Sequence, residues 1–336
     1  MKLPEVKIDY GNLYKMTFFP IRSKLLLTGI ELKVFNHLSE PTSAEDVAQA
    51  IHTHPGNTRV LLDGLAAIDL VQKKRSLYQN TSLAQTFLVE ASQTYLGQLL
   101  TFMANADVSL ENLTKLVKEG PPPQPEPSRP SEEMLAQSAA MMANVERAGD
   151  AQQMVRIVSE LLEFLSFQKM LDLGGGPGII GMSIVDAHPT MKGVIFDLPP
   201  VVKVAKAFIK EYGMEDRLGV LGGDFNRDAI GEGYDLVVTC NALQFSQAID
   251  SVMKKIYDAL NLGGVCVSMF GFGQTHERTK PESLVLGLLP RALMGQDVAF
   301  YQGGIADSML LVGFKSVCSR IVTTSWGPME LDIARK

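Results

Sequence analysis

The chain has 336 residues, of which 46% are hydrophobic and 20% charged, and at roughly 150 residues per domain this predicts about two domains with real cores rather than a disordered chain. A formal net charge of −6 provides no global basic field for nucleic acid or anionic lipid. The three cysteines, Cys240, Cys266 and Cys318, are too few and too scattered for a disulfide framework or a metal site, so reduced thiols in a cytoplasmic protein without a metal are expected.

The first residues, Met1-Lys2-Leu3-Pro4-Glu5, mix both charges and contain no apolar export core. Thr42-Ser43-Ala44-Glu45-Asp46 reads as a helix start, with a hydroxyl at the cap, acids in the first turn and Val47, Ala48 and Ile51 at helical spacing. Pro55-Gly56-Asn57 punctuates the pattern, and a second helix places Val60, Leu61, Leu65 and Ile68 on one stripe. Leu70-Val71 and Leu77-Tyr78 flank a polar turn as strand, turn and strand. Helix, turn, helix and hairpin in that order predict a winged-helix domain over residues 1–100. Those residues hold ten Lys/Arg against nine Asp/Glu, and the second helix offers only Arg59 beside Asp63. A DNA reader concentrates cations opposite phosphates. No nucleic-acid partner is therefore expected, and the apolar helical surface is assigned to oligomerisation.

Residues 101–165 read as connecting helices. A helical stretch over 95–118 is interrupted by a linker over 120–130 with six prolines, and a helical pattern then runs from a Ser131-Glu132-Glu133 cap to Phe167. Met134, Met141, Met142 and Met154 lie along it; helix-core packing is the favoured reading, with a substrate wall as the alternative. Short apolar strands then alternate with helix-length segments at 169–173, 193–196, 218–221, 234–239 and 265–270. That spacing predicts a parallel, doubly wound α/β sheet over residues 166–336. The stretch 283–294, among the most apolar, is broken by Gly287, Pro290 and Arg291 and is too short to span a membrane. Two closing strands at 314–323 and 329–334 predict an antiparallel edge hairpin.

The most informative residues are Leu171-Asp172-Leu173-Gly174-Gly175-Gly176-Pro177-Gly178, an apolar strand running into a glycine-dense turn before a helix over 179–187. Such a turn lets backbone approach a ligand, and the helix start is expected to present free N–H groups to an anionic part of it. Gly176–Gly181 also satisfies the dinucleotide pattern GxGxxG, with Asp197 about twenty residues on. Two features favour a single adenosine with a small amino-acid tail. Asp172 precedes the glycines, where it can fix the loop by accepting N–H bonds. Gly222-Gly223-Asp224-Phe225 closes the third strand with an acid and an aromatic suited to a purine, while Asp197 is placed to accept ribose hydroxyls.

With Phe196-Asp197-Leu198-Pro199 between them, these motifs resemble those of the class I S-adenosylmethionine (SAM)-dependent methyltransferases. More closely, they resemble the plant-caffeate and bacterial small-molecule O-methyltransferase family over nearly the whole chain. The resemblance implies a winged-helix dimerisation domain, a homodimer, and a seven-stranded Rossmann-like domain that binds SAM. It implies that Gly174 and Gly176, with Asp172 and Gly178 in the same loop, serve the methionine part of the cofactor. Asp197 would bind ribose beside Leu198, Asp224 and Phe225 would hold adenine, and Cys240-Asn241 would approach the sulfonium. Met141, Met142, Glu146, Phe270 and His276 are substrate-side candidates.

The chain departs from the family at the base. Where the family carries a catalytic His, this sequence has Gln244 in Asn241-Ala242-Leu243-Gln244-Phe245-Ser246, and the Glu that orients that His is replaced by Phe270. A positioned base contributes about 10²–10⁴-fold, whereas proximity and orientation supply about 7–11 kcal/mol. A chain without the base is therefore expected to methylate a small, partly apolar acceptor that is already nucleophilic, an acidic phenol, thiol, carbon or nitrogen. The alternatives are a SAM-binding protein that has lost or diverted methyl transfer, a ligand-sensing winged-helix regulator and an NAD(P) dehydrogenase. His188, before Pro189, reads as part of a surface turn.

Overall fold

The computed structural model describes residues 3–104, 113–121, 130–271, 289, 293–294 and 301–336. The chain divides into two units, residues 1–104 and 105–336.

The first unit contains α1 (Gly11–Met16), α2 (Phe19–Glu31), β1 (Thr42–Ser43), α3 (Ala44–Ala50), α4 (Pro55–Ala67), β2 (Val71–Lys74), β3 (Leu77–Asn80), α5 (Ser82–Phe87) and α6 (Gly97–Ala104). Ser43 caps α3 by accepting the Asp46 N–H at 3.1 Å. Pro55 opens α4 rather than closing the element before it, because the first helical position has no use for an N–H. The inward face of α4 is Thr58, Leu62 and Leu65, packed with Phe35, Leu38, Val47 and Tyr78. The expected stripe is corrected at Val60, which is 70% exposed: two residues before Leu62, it lies on the far side of the helix. The hairpin pairs Lys74 with Leu77 around a two-residue turn in which Arg75 has φ 56°, and β1 adds a third antiparallel strand opposite Tyr78. Arg59 is ion-paired with Glu45, and Lys73 with Asp63 at 2.5 Å, so two cations of the helix and hairpin already face acids.

The second unit begins with α7 (Leu113–Glu119) and α8 (Glu132–Val145), the latter capped by Ser131 as read from the sequence. The long helix expected up to Phe167 is interrupted. A π-turn, Glu146–Asp150, separates α8 from α9 (Ala151–Ser159), and Gly149 inside it has φ 154°, open to glycine and costly for any other residue. The helix expected over 95–118 is described as α6 and α7; residues 105–112, like 122–129 of the proline-rich linker, lie outside the described residues.

The remaining elements are β4 (Lys169–Leu173), α10 (Ile179–Ala187), β5 (Lys192–Asp197), α11 (Pro199–Glu211), β6 (Leu218–Gly222), β7 (Tyr234–Cys240), α12 (Ile249–Ala259), β8 (Leu260–Phe270), α13 (Gly304–Val312), β9 (Ser316–Thr324) and β10 (Gly327–Arg335). The seven strands are ordered β6-β5-β4-β7-β8-β10-β9, parallel from β6 through β8, with β10 antiparallel to both β8 and β9. The architecture is thus α/β, a seven-stranded Rossmann-like sheet closed by an antiparallel hairpin.

Successive strand residues feed opposite cores. Met170, Val238, Val267 and Leu331 meet α9, α10 and α11 on one face, while Leu171, Val237 and Cys266 meet α12 and α13 on the other. Strand order reverses between β4 and β7, opening a crevice at their C-terminal ends, where α/β sheets bind ligands. His188, expected in a surface turn, is buried instead. It is only 1% exposed, stacked edge-on against Phe164, and its Nδ1 accepts the N–H groups of Thr190 and Met191 at 3.1 and 2.8 Å. It ties the turn after α10 to the core.

Candidate active site

The crevice is a cavity of 870 Å³, and every described residue that lines it belongs to the second unit. Its floor is the loop after β4. Gly174 and Gly176 have φ of 69° and 54°, and a Cβ on Gly174 would stand 2.3 Å from the Cβ of Ala242. Glycine is required there by both backbone and space. Gly178, with φ 82°, caps α10, and it does not line the cavity.

Asp197 ends β5 on the cavity wall. Its Oδ2 accepts the Gly176 N–H at 2.9 Å and its Oδ1 that of Leu198 at 2.7 Å, so one carboxylate ties the glycine loop to the start of α11. Burial raises its pKa against these two bonds. Asp224 follows β6. Its Oδ1 accepts the backbone and side-chain N–H groups of Asn226 at 2.9 and 3.0 Å, while its own N–H is held by Asp228. Phe225 lies beside it, largely buried. Asn226 also binds the Phe245 carbonyl at 3.1 Å and accepts the Gln247 N–H at 2.8 Å, fastening the segment after β7 to the loop after β6. Cys240 and Asn241 close the far side, Asn241 at φ 50° with its N–H on the Met269 carbonyl. Burial and the nearby acids Asp150, Glu146 and Asp172 push the Cys240 thiol up, so it is a neutral thiol.

Of the residues singled out in the sequence, Met142, Glu146, Gly174, Gly176, Asp197, Leu198, Asp224, Phe225, Cys240 and Asn241 meet at this one cavity. Others do not. Met141 neighbours Met142 on α8 but does not line the cavity. Phe270 is packed in the core under α12 and α13, because the end of β8 is covered there. Gln244 sits in a short turn, Leu243–Phe245, off the cavity wall, and its Oε1 is buried without a hydrogen-bond partner. His276 lies outside the described residues. Leu135, Ser138 and Ala139 of α8, the Pro199-Pro200 helix start, Arg227 and Phe245 also line the cavity. The i, i+3, i+4, i+7 spacing from Leu135 to Met142 was the available signal for the α8 residues.

Asp172 is 2% exposed and lies under the loop instead of lining the cavity. It binds α10, accepting the Gly181 N–H at 3.0 Å, and not the glycine turn it was expected to fix. Burial raises its carboxyl to about 7. Glu146, on the π-turn, accepts the Ile180 N–H at 3.2 Å. Burial first, then the nearby Asp172, raise its pKa well above the ordinary carboxylate range. The start of α10, expected to be free for an anion, is therefore held by two of the chain's own carboxylates.

An O-methyltransferase domain model matches residues 130–292, and an O-methyltransferase dimerisation domain model matches residues 15–90. The chain belongs to the SAM-dependent O-methyltransferase family. It is 28% identical to the acetylserotonin O-methyltransferase of Bos taurus over 72% of this chain and 74% of that one. It is 27% identical to the N,N-dimethyltransferase OxyT of Streptomyces rimosus over 76% of each. Its fold matches that of human N-acetylserotonin methyltransferase, solved in complex with SAM, with a TM-score of 0.78 at 22% identity over 99% of both chains.

Proposed function

We propose that this chain transfers the methyl group of SAM to a small, partly apolar acceptor that is already nucleophilic, by holding the reactants in place and without a histidine base. The reading rests on one observation: among the described residues, the cavity combines an adenosine-type wall with no histidine placed to take a proton from a neutral hydroxyl. Among the described residues no histidine lines it, and Gln244 is off its wall.

The residues fit the cofactor. Asp197 at the end of β5 can accept ribose hydroxyls beside Leu198, and Asp224 with Phe225 offers an edge and a face to adenine. The loop at Gly176 leaves open space that a Cβ would enter, with only the Glu146 Oε1, among the described residues, within 4 Å of it. SAM, when bound, supplies a methyl group activated on a sulfonium. Among the described residues four acids line the cavity, Glu146, Asp197, Asp224 and Asp228, against one base, Arg227, which suits a cationic ligand. A dinucleotide is disfavoured, because Glu146 occupies the helix start where a pyrophosphate would sit.

The chain's own contribution is orientation. Asn226 holds the segment from Phe245 to Gln247 in place, Asn241 is fixed by Met269, and Leu135, Ala139 and Met142 supply an apolar wall for the acceptor. Proximity of this kind accounts for about 7–11 kcal/mol of a barrier, more than the roughly 3–5 kcal/mol a base supplies. Acidic phenols, thiols, carbon and nitrogen nucleophiles are the acceptor class, and simple alcohols are excluded. The relative OxyT, an N,N-dimethyltransferase, shows that nitrogen chemistry occurs among similar chains.

We further propose that the protein acts as a homodimer through its first unit. Leu13, Tyr14, Phe18, Phe19 and Ile21 are exposed on α1, α2 and the turn between them, an apolar run suited to a second copy. The regulator reading is disfavoured by the pairing of Arg59 and Lys73 with acids.

The test is methyl transfer from radiolabelled SAM to a panel of nitrophenols, aryl thiols, anilines and aliphatic alcohols, with conversion of at least one of the first three and none of the alcohols expected. Efficient methylation of aliphatic alcohols would overturn the acceptor assignment, and absence of any transfer together with tight SAM binding would favour the diverted-function reading.

A further inference from the structure

Helix α10 has an unusual start. Its N-cap is Gly178, which has no side chain to give, and the orphan N–H groups of its first turn are taken by carboxylates from elsewhere. Asp172 of β4 takes Gly181, and Glu146 of the π-turn takes Ile180 at 3.2 Å with Ile179 also directed at it. In a glycine-loop fold this helix end is where a ligand anion docks. Here the position is filled.

The two carboxylates differ in access. Asp172 is sealed beneath the loop, whereas Glu146 forms part of the cavity wall. Its Oε1 lies 3.6 Å from where a Cβ on Gly176 would stand, on the glycine loop. The charges of Asp172 on β4 and Asp150 on the same turn disfavour its ionised form, its own charge acts on the Cys240 thiol on β7, and no cation is among these groups. Asp150 is held by the Trp326 indole N–H at 3.1 Å. The nearest cation in sequence, Arg147, is engaged elsewhere, stacked on Phe208 and Tyr212 and bonded to the Tyr212 hydroxyl. A buried carboxylate among other acids lacks a positive partner, and burial of such a group is costly until one arrives.

We propose that Glu146 is the specificity residue for the amino-acid tail of the cofactor: its carboxylate stands in for a ligand anion at the start of α10 and selects a tail that presents an ammonium group. This rests on the SAM reading above. It makes the tail's positive charge, rather than its carboxylate, the recognised feature, and it rejects ligands that bring phosphate to the same place.

The test compares three neutral-sulfur ligands by calorimetry on the full-length protein and its Glu146→Gln variant. They are S-adenosylhomocysteine, its deaminated analogue with hydrogen in place of the α-amino group, and 5′-methylthioadenosine, which lacks the tail. The wild type should prefer S-adenosylhomocysteine over the deaminated analogue by about 10- to 100-fold, the range of a charge-assisted hydrogen bond. Glu146→Gln should abolish that preference and bind 5′-methylthioadenosine within about twofold of wild type, which also reports an intact adenosine wall. The proposal fails if the wild type does not discriminate the deaminated analogue, if the preference survives in Glu146→Gln, or if the variant loses all three ligands equally. If the wild type binds none of the three, the cofactor reading itself has failed, an outcome distinct from each of these.

Discussion

Replacing Asp172 with Asn should make the second unit more stable at neutral pH, although it removes a charged hydrogen-bond acceptor. Asp172 is fully buried, and burial raises its carboxyl from the usual 3.8 to about 7. A carboxyl whose pKa is higher in the folded chain favours folding while protonated, and that advantage is lost as pH rises from about 4 to about 7. The lost stability is roughly three pH units at about 1.4 kcal/mol each, or about 4 kcal/mol above pH 7. That cost is already net of the bond from the Gly181 N–H at 3.0 Å, which by itself lowers the pKa. An Asn oxygen retains most of that bond, so the burial cost decides the sign. Asp332, also near 7 and bonded to Ser319, keeps its own share of the pH dependence in the variant. Urea unfolding at pH 5 and pH 8 measures both terms. The wild type should lose stability between the two, and Asp172→Asn should lose about 2–3 kcal/mol less, since only the stretch from pH 5 to about 7 is sampled. Equal pH slopes in the two proteins, or a variant less stable at pH 8, would refute the reasoning.

Further outcomes follow from the same geometry. Gly174→Ala places a Cβ 2.3 Å from that of Ala242 at φ 69°, and should weaken S-adenosylhomocysteine binding at least tenfold while costing about 1–3 kcal/mol; adding Ala242→Gly should recover part of the binding, as equilibrium dialysis would show. Gln244→Ala should leave kcat on the best acidic acceptor within about threefold, because a base would be worth about 10²–10⁴-fold and this side chain lies off the cavity wall. Maleimide should label native Cys318, which is exposed, well before Cys240 or Cys266, whose thiols burial keeps protonated; mass spectrometry of the labelled peptides checks the order. Breaking the Arg335–Glu163 pair at 2.6 Å with Glu163→Ala should cost about 1 kcal/mol by urea unfolding, modest because both side chains are partly exposed.

Much of this molecule is local, and local patterns are readable. The strand at 169–173, the helix at 179–187 and the Ser131 cap fall where apolar runs, glycines and a hydroxyl before acids place them. The carboxylates of Asp197 and Asp224 share a cavity because strand ends in a parallel sheet converge on one edge. The misses have a common origin in contacts between distant segments. His188 is buried because Phe164 covers it, and the π-turn depends on Gly149 taking a φ no periodicity reveals. The occupied start of α10 depends on Glu146 reaching Ile180 from 34 residues away, so an acid read as a substrate candidate proves to cap a helix. Val60 shows the opposite failure, an apolar residue at plausible spacing that points outward.

The cavity between β4 and β7 must accept an adenosyl sulfonium for the chemistry above to occur. Titrating SAM into the purified full-length protein, in parallel with an Asp197→Asn variant and with NAD as a control, tests this most directly. One saturable site per chain for SAM, at least tenfold weaker in the variant, with no heat from NAD, is the expected result. A folded wild-type protein that gives no binding heat with SAM, or binds NAD in its place, would contradict it.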